Sequence, residues 1–316
     1  MQQLLLDKDF GEAFQMSEIL VIGSVALDTV ATPAGRLNDV LGGSATYFSI
    51  SASFFSRVNL VATVGKDFPA EHKALIKSFG VDLRGLETKD GKTFRWEGSY
   101  VDDLNCAKTI NTQLNVFADF KPKIPAEYID SKYIFLANID PDLQLFILKN
   151  LKDQQLVGCD SMNYWIQNKN ASLKKLMKEV SFVFLNDAEA KVFSGESNII
   201  KAGRFLLSLG PRFAIIKRGE YGAILFTKQG ISFLTPAFPL ETVCDPTGAG
   251  DTFAGGFMGY LARAGKVNDQ AVRQALLYGS VMASFTVEDF SVNRFLKLKK
   301  RDIEARYKKF KGLTIP

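Results

Sequence analysis

The strongest constraint on the fold is an alternation of strand-like and helix-like segments along the second half of the chain. Short apolar runs rich in β-branched and aromatic residues recur at 133–136, 156–159, 182–185, 213–216 and 223–226. Segments with helical character occupy most of the gaps, at 142–153, 172–179, 187–193 and 199–209. Strands that alternate with helices in this way form parallel sheets covered by helices on both faces. The sequence therefore predicts a doubly wound, mostly parallel α/β sheet flanked by helices.

The first half of the chain adds the start of this sheet and a separate β-rich piece. In chain order, the pattern predicts a buried strand at 19–23, a helix ending near 55, a strand at 60–65 and a helix over 67–79. Residues 92–118 alternate with the period of antiparallel strands. We expect a single α/β domain over 1–316, with residues 1–17 as an N-terminal extension. A small β-sheet is expected from about 26–42 and 88–120.

Composition excludes several classes of function. His72 is the single histidine, which argues against a Ser-His-Asp hydrolase and against any mechanism that needs two imidazoles. Cys106, Cys159 and Cys244 are far apart and form no CxxC pair, so neither a disulfide scaffold nor a thiolate zinc site is expected. No apolar run approaches the length of a membrane-spanning helix, and we expect a cytoplasmic protein without a membrane partner.

The net charge of +5 comes from 39 basic and 34 acidic residues, and much of the excess lies in the last twenty residues. Apolar residues are interleaved there at 295, 298, 303 and 307, which predicts a terminal amphipathic helix. Two interpretations of its basic face stay open: a solvated helix surface, which we favour, or a patch for nucleic acid or a membrane surface. Nucleic acid is accordingly not the expected partner.

A glycine-rich turn at 245–251, with the sequence DPTGAGD, opens onto a helix predicted over 252–261. The first N–H groups of a helix have no intrahelical acceptor and lie at the positive end of the helix dipole, where they bind anions. The missing side chains at Gly248 and Gly250 would let an anion approach the backbone. Asp251 beside such a site is repulsive unless it handles a proton or a metal. The alternative is an ordinary loop with Asp251 as a helix cap.

The run DPTGAGDTFAGGF resembles the C-terminal signature of the ribokinase-type, or PfkB-like, carbohydrate kinases. Further landmarks of that family follow in its order: Gly42-Gly43, Gly65-x-Asp67, Asn186-x-x-Glu189 and Gly219-x-x-Gly222. The resemblance extends over about residues 19–290. It implies a ribokinase-like fold whose β-rich piece is a lid over the acceptor. It also implies transfer of the ATP γ-phosphoryl group to a hydroxymethyl group of a sugar, sugar phosphate or nucleoside.

The resemblance implies roles for the residues that match its motifs. Asp251 is the expected catalytic base, because a hydroxyl is a poor nucleophile until a carboxylate orients it and accepts its proton. Backbone N–H groups of Gly248, Ala249 and Gly250 form the expected anion hole. The expected ATP-binding residues are Asn186, Lys217, Gly219, Gly222 and Thr247.

Two cations are expected with ATP. The resemblance implies that Glu189 helps to place Mg²⁺, mostly through water, and that Asp245 holds a monovalent cation such as K⁺. Two simpler interpretations stay open: Asn186 as a helix cap, and Gly219 to Gly222 as a plain hairpin turn.

On the acceptor side the resemblance points to Asp28, Gly42, Gly43, Tyr47 and Asn138. Tyr47 stands where the family has an asparagine, and a phenol cannot reproduce the paired donor and acceptor of an amide. It either stacks on the acceptor or belongs to the core. Three roles stay open for the aromatic residues of the β-rich piece, which are Phe94, Trp96 and Tyr100. They could line a nucleoside pocket, form a dimer interface, or pack between the lid and the main domain.

The sequence is therefore compatible with three functions. We place a kinase of a sugar or sugar-like small molecule first and a ribonucleoside kinase second. A catalytically idle ATP-binding protein comes third, because an idle copy need not keep both Asp251 and Glu189. A homodimer formed through the lid is a further expectation.

Overall fold

The computed structural model describes residues 17–314, so nearly all of the expected N-terminal extension lies outside the described residues. Its strands are β1 (Glu18–Ile22), β2 (Ala26–Thr32), β3 (Gly35–Gly42), β4 (Arg57–Gly65), β5 (Val81–Lys89), β6 (Phe94–Ser99), β7 (Lys108–Gln113), β8 (Tyr133–Leu136), β9 (Leu156–Asp160), β10 (Phe182–Asn186), β11 (Phe213–Lys217), β12 (Ala223–Thr227) and β13 (Gly230–Thr235). Its helices are α1 (Ser44–Ser53), α2 (Ala70–Ser78), α3 (Pro141–Lys149), α4 (Asn163–Asn168), α5 (Asn170–Met177), α6 (Asp187–Ser194), α7 (Ile199–Ser208), α8 (Ala249–Ala264), α9 (Asp269–Thr286) and α10 (Lys300–Thr314).

Within residues 17–314, nine strands form the main sheet in the order β13-β12-β11-β10-β9-β8-β1-β4-β5. Neighbours from β11 through β5 pair in parallel, whereas β12 and β13 pair antiparallel at one edge. Alternate residues of β1 enter opposite cores: Ile19 and Val21 pack with α1, α8 and α9, and Leu20 and Ile22 with α3, α5 and α7. The predicted doubly wound α/β fold is confirmed.

A second sheet of four strands has the order β3-β2-β6-β7, and its strands fall within the predicted segments 26–42 and 88–120. β2 pairs antiparallel with β3, and β6 pairs antiparallel with β7, but β2 and β6 run parallel. Asp67 joins this sheet to the main domain, because its carboxylate accepts hydrogen bonds from Thr93 N (2.7 Å) and Arg95 Nη1 (2.8 Å). The family landmark Gly65-x-Asp67 thus has a structural function here.

Several elements differ from the sequence prediction. The helix predicted over 67–79 begins at Ala70, and the one predicted over 142–153 ends at Lys149. The predictions omitted β5, β13, α4 and α9. α9 is buried on every side from Ala275 to Met282, so its polar residues are confined mainly to its first turns. The terminal amphipathic helix is confirmed as α10, with Ile303 and Phe310 buried. No helix in the described part of the chain is long and apolar enough to cross a membrane.

Candidate active site

The glycine-rich turn leads directly into α8, as predicted. Gly248 is the N-cap residue, with φ of 73° in the left-handed region. Asp245 is buried and holds the turn in place: its Oδ1 accepts from Thr247 N (2.9 Å) and its Oδ2 from Ser291 N (3.1 Å). Both carboxylate oxygens of the residue expected to hold a monovalent cation therefore already accept backbone hydrogen bonds.

The two glycines of the turn make room for neighbouring side chains of the chain itself. A Cβ at Gly248 would run into the ring of Tyr47, and a Cβ at Gly250 would lie 2.9 Å from Lys217 Nζ. From the sequence, both glycines are expected to let an anion approach the backbone. The structure adds a different reason, since Tyr47 and Lys217 already fill the space beside the backbone.

Tyr47 lies beneath the turn and is 1% exposed. Its hydroxyl has no hydrogen-bond partner among the described residues. Burial and the negative charges of Asp28, Asp245 and Asp251 raise the pKa of this phenol well above its ordinary value. Of the two interpretations that the sequence left open for Tyr47, its burial favours the core.

Asp251 lies in the first turn of α8. Burial and the nearby carboxylate of Asp160 raise the pKa of Asp251 to about 7, while the ammonium of Lys217 acts in the opposite direction. A carboxylate with a pKa near neutrality is suited to accept a proton at the pH of a cell. The electrostatics of the site thus agree with the role expected for Asp251.

Asp160, which pairs with Lys217, is a site residue that was not predicted from the sequence. Asp160 ends β9 and Lys217 ends β11, and Lys217 Nζ lies 2.8 Å from Asp160 Oδ2. Asp160 is buried and Lys217 is largely buried, since 6% of the aspartate side chain and 15% of the lysine side chain are exposed. An acid directly after a predicted buried strand was the available signal, because α/β proteins bind ligands at the carboxyl ends of their strands.

Asn186 and Glu189 form a capping box at the start of α6. Asn186 Oδ1 accepts from Glu189 N (2.8 Å), and Glu189 Oε2 accepts from Asn186 N (2.7 Å). The helix-cap interpretation is confirmed, and it leaves Glu189 Oε1 as the second carboxylate oxygen. Burial and the charge of Asp160 raise the pKa of Glu189 to about 8, against the effect of Lys217.

Asp28 of β2 is buried against the di-glycine pair. The Asp28 carboxylate fills the space of a side chain at Gly42, and Gly43 N–H donates a hydrogen bond to it. Burial, with Asp245 and Asp251, raises the pKa of Asp28 to about 7. The N-terminal and C-terminal motifs of the sequence therefore meet at one cluster of carboxylates.

Asn138 follows β8 on the same side of the sheet as the ends of the other parallel strands. Its Oδ1 is buried and has no hydrogen-bond partner within residues 17–314. A buried amide oxygen without a partner is rare in proteins and marks a position where a ligand or water can donate.

The small sheet contacts both glycine-containing loops. Tyr100, just after β6, is 9% exposed, and its phenol interacts with Thr247. Asn105, between β6 and β7, donates from Nδ2 to Glu220 Oε1 (3.0 Å) and accepts at Oδ1 from Glu220 N (3.2 Å). The sequence named Tyr100 only as an aromatic residue and missed Asn105.

The turn from Gly219 to Gly222 connects β11 with its antiparallel neighbour β12, as the hairpin interpretation required. Both glycines have positive φ, 52° and 84°. A Cβ at Gly219 would run into Asn105, and one at Gly222 into the backbone at Thr235 and Pro236. The turn is therefore fixed by its neighbours, and a contact with nucleotide stays a prediction.

Comparison with known proteins agrees with this arrangement. Residues 16–298 match the pfkB family of carbohydrate kinases. The cytidine kinase of Thermococcus kodakarensis is 32% identical over 267 residues, which are 83% of this chain and 94% of that protein. The nucleoside kinase structure of Methanocaldococcus jannaschii superposes with a TM-score of 0.73 at 20% identity, over 93% of this chain and 99% of that one. The ribokinase of Thermotoga maritima gives a TM-score of 0.70 at 20% identity, with 93% and 99% covered.

The two solved structures share the fold, and the family match covers most of the chain. The chain therefore belongs to the pfkB family of carbohydrate kinases and is an ATP-dependent kinase that phosphorylates an alcohol group.

Proposed function

We propose that this kinase phosphorylates the hydroxymethyl group of a ribonucleoside, with cytidine as the first candidate. The proposed chemistry is carried by one observation: Asp251 lies at the N-terminus of α8 with its pKa near 7 and within electrostatic reach of Asp28. The choice of acceptor is supported by the cytidine kinase relative, which matches over most of both chains. This reverses the order suggested by the sequence, in which a sugar came first.

In the proposed reaction, Asp251 accepts the proton of the acceptor hydroxyl. The hydroxyl oxygen forms a bond to the γ-phosphorus of ATP while the bond from that phosphorus to the bridging oxygen breaks, and ADP leaves with the electron pair. The N–H groups of the turn, from Gly248 to Gly250, face the negative charge that builds up on the phosphoryl group. Ala249 N currently donates to Pro246 O (3.2 Å), so this donor would have to exchange its acceptor.

The residues near α8 fit a bound Mg·ATP. Lys217 supplies a buried ammonium, and Glu189 supplies a carboxylate whose Oε1 is not used in the capping box. Mg²⁺ prefers hard oxygen ligands and keeps several waters, so one carboxylate suffices on the protein side. Bound Mg²⁺ would neutralise part of the negative charge of the phosphates. Asn186, Thr247 and the Gly219 to Gly222 turn complete the proposed ATP site.

For the acceptor, Asp28 would receive hydrogen bonds from ribose hydroxyls, and the di-glycine pair holds its carboxylate in place. The buried Oδ1 of Asn138 offers a further acceptor. Tyr100 covers the site from the small sheet, and this supports the expected role of that sheet as a lid. Tyr47 supports the turn from below.

An assay of ADP release with Mg·ATP tests the proposal. The acceptors are cytidine, uridine, adenosine, guanosine and inosine, with ribose, fructose, fructose 6-phosphate and myo-inositol as the sugar arm. We expect the highest kcat/KM with a nucleoside, and a loss of about 10²–10⁴-fold in that turnover in Asp251→Asn. A preference for a sugar would reject the proposed acceptor. ATP binding without turnover on any compound would favour the idle protein.

A homodimer and a K⁺ requirement remain proposals with less support. β7 is exposed at all six of its residues and forms an open edge of the small sheet, which a second copy could cover. Sedimentation velocity over a range of concentrations tests the dimer. Turnover in KCl against NaCl at equal ionic strength tests whether Asp245 supports a K⁺ site.

A further inference from the structure

Asp160, which forms an ion pair with Lys217, has no assigned part in the reaction so far. Asp160 ends β9, Lys217 ends β11, and β10 lies between them in the sheet. Lys217 Nζ lies 2.8 Å from Asp160 Oδ2. Both side chains therefore meet across the carboxyl ends of three neighbouring strands, directly beneath the start of α8.

The aspartate in this pair is itself held in place. Asp160 Oδ1 accepts from Ser161 N (2.8 Å), while Oδ2 takes the lysine. A lysine side chain has several rotatable bonds, and an ammonium without a partner would sample many positions. Because its partner is fixed and buried, the ammonium has a defined position.

That position is next to the first turn of α8. The Lys217 ammonium lies 2.9 Å from the point where a Cβ of Gly250 would stand. Gly250 belongs to the proposed anion hole, so the lysine charge adds to the positive end of the helix at the same point. Fixed charges of this kind stabilise a transition state without the cost of reorganisation.

We propose that Asp160 is a positioning residue, which holds the Lys217 ammonium under the first turn of α8 to meet the charge of the transferring phosphoryl group. This inference rests on the proposed phosphoryl transfer. It also explains how a lysine can lie close to the catalytic base without inactivating it. Asp160 takes the direct ion pair, so that Asp251 is left to accept a proton.

The test uses a double-mutant cycle in the full chain, with Asp160→Asn, Lys217→Met and both together. We expect Lys217→Met to lower kcat about 10²-fold and Asp160→Asn about 10-fold, with the acceptor KM changed less than about 2-fold. The double variant should be no slower than Lys217→Met alone, because Asp160 acts through the lysine. Lys201→Met is the matched control, since Lys201 forms a long, exposed ion pair with Glu196.

The pH profile supplies a second readout that a purely structural role would not move. The titratable groups facing Asp251 from the surrounding elements are Asp160, Lys217, Glu189, Asp28, Tyr47 and Tyr100. Removing the negative charge of Asp160 should shift the acid limb of kcat/KM to lower pH. Removing the positive charge of Lys217 should shift it to higher pH. If the acid limb of kcat/KM shifts in the same direction in both variants, the proposal is wrong.

Losses that add in the double variant would also overturn it. An Asp160→Asn defect that high Mg²⁺ repairs equally with and without Lys217 would instead make Asp160 a metal ligand. Binding of Mg·ATP, measured by calorimetry, separates this inference from the proposed function. If no acceptor is turned over, a double variant that binds ATP no more weakly than Lys217→Met still supports the positioning role, and additive weakening rejects it.

Discussion

The ring of Tyr47 occupies the space that a side chain on Gly248 would need, so the core helix α1 and the glycine-rich turn fit together only with glycine at this position. Gly248→Ala would displace the ring and force alanine into the left-handed region. We expect it to lower the free energy of unfolding by about 2–4 kcal/mol and to reduce kcat sharply. Urea unfolding and steady-state kinetics measure the two effects.

Gly265→Ala is the matched control for this prediction. Gly265 ends the same helix with a φ of 63°, but nothing lies within 4 Å of its Cβ position. It should lose only about 1 kcal/mol of unfolding free energy and keep its turnover. Equal effects of the two substitutions would mean that the Tyr47 contact does not matter.

The raised pKa of Asp251 predicts how activity depends on pH. With a pKa of about 7, this carboxyl is protonated in acid and accepts a proton only above neutrality. We therefore expect kcat/KM to fall below pH 7, and Asp251→Asn to lose about 10²–10⁴-fold in kcat at pH 8. Asp28 has a similar pKa and contributes to the same limb. In Asp28→Asn the limb should persist while the acceptor KM rises, and its disappearance would assign it to Asp28.

The same shift predicts a cost in stability. The folded state keeps a proton on Asp251 up to about pH 7, whereas the unfolded chain loses it near the ordinary value of 3.8. Because the folded state binds more protons, the free energy of unfolding falls as the pH rises through this window. We expect Asp251→Asn to be more stable than the wild type at pH 8, by about 1 kcal/mol or more, and equally stable at pH 4. Chemical unfolding at both pH values is the measurement.

Local sequence patterns predict the fold and the loops, but not the contacts between distant segments. The glycine-rich turn, the strands of the parallel sheet and the small β-sheet all have local signals in the sequence. Lys217 and Asp160 are far apart in the chain and meet only because β9, β10 and β11 are neighbours in the sheet. No spacing or periodicity predicts that these two residues pair, although the position of Asp160 directly after a predicted strand marks it as a candidate for the site.

The glycines show the same limit in another form. The sequence singles out Gly248 and Gly250 as positions where the missing side chain leaves room beside the backbone. It does not identify what fills the space, which is Tyr47 from α1 in one case and Lys217 from β11 in the other. The missed helix α9 has a third cause: it is buried on every side from Ala275 to Met282, so that its polar residues lie mainly in the first turns.

The contacts of Asn105 predict a link between the small sheet and the proposed ATP site. Its two hydrogen bonds to Glu220 connect the β6–β7 segment to the turn that would hold the nucleotide. Asn105→Ala should raise the KM for ATP several-fold and leave kcat nearly unchanged, since exposed hydrogen bonds contribute about 0.5–1.5 kcal/mol each. Asn111→Ala, on the exposed strand β7, is the control and should change neither parameter. A changed kcat with a constant KM would place Asn105 in a different step.

Tyr47→Phe decides between the two interpretations of this residue that the sequence left open. The hydroxyl is buried, lacks a hydrogen-bond partner within residues 17–314, and lies near three carboxylates. Removing a buried polar atom without a partner should not destabilise the fold, and we expect the free energy of unfolding to stay equal or rise by up to about 1 kcal/mol. If the phenol does not contact the acceptor, no hydrogen bond to the acceptor is lost. The acceptor KM should then stay within about 2-fold of wild type, a change smaller than the contribution of one hydrogen bond. A tenfold rise in the acceptor KM, with the stability unchanged, would instead show that the phenol contacts the acceptor.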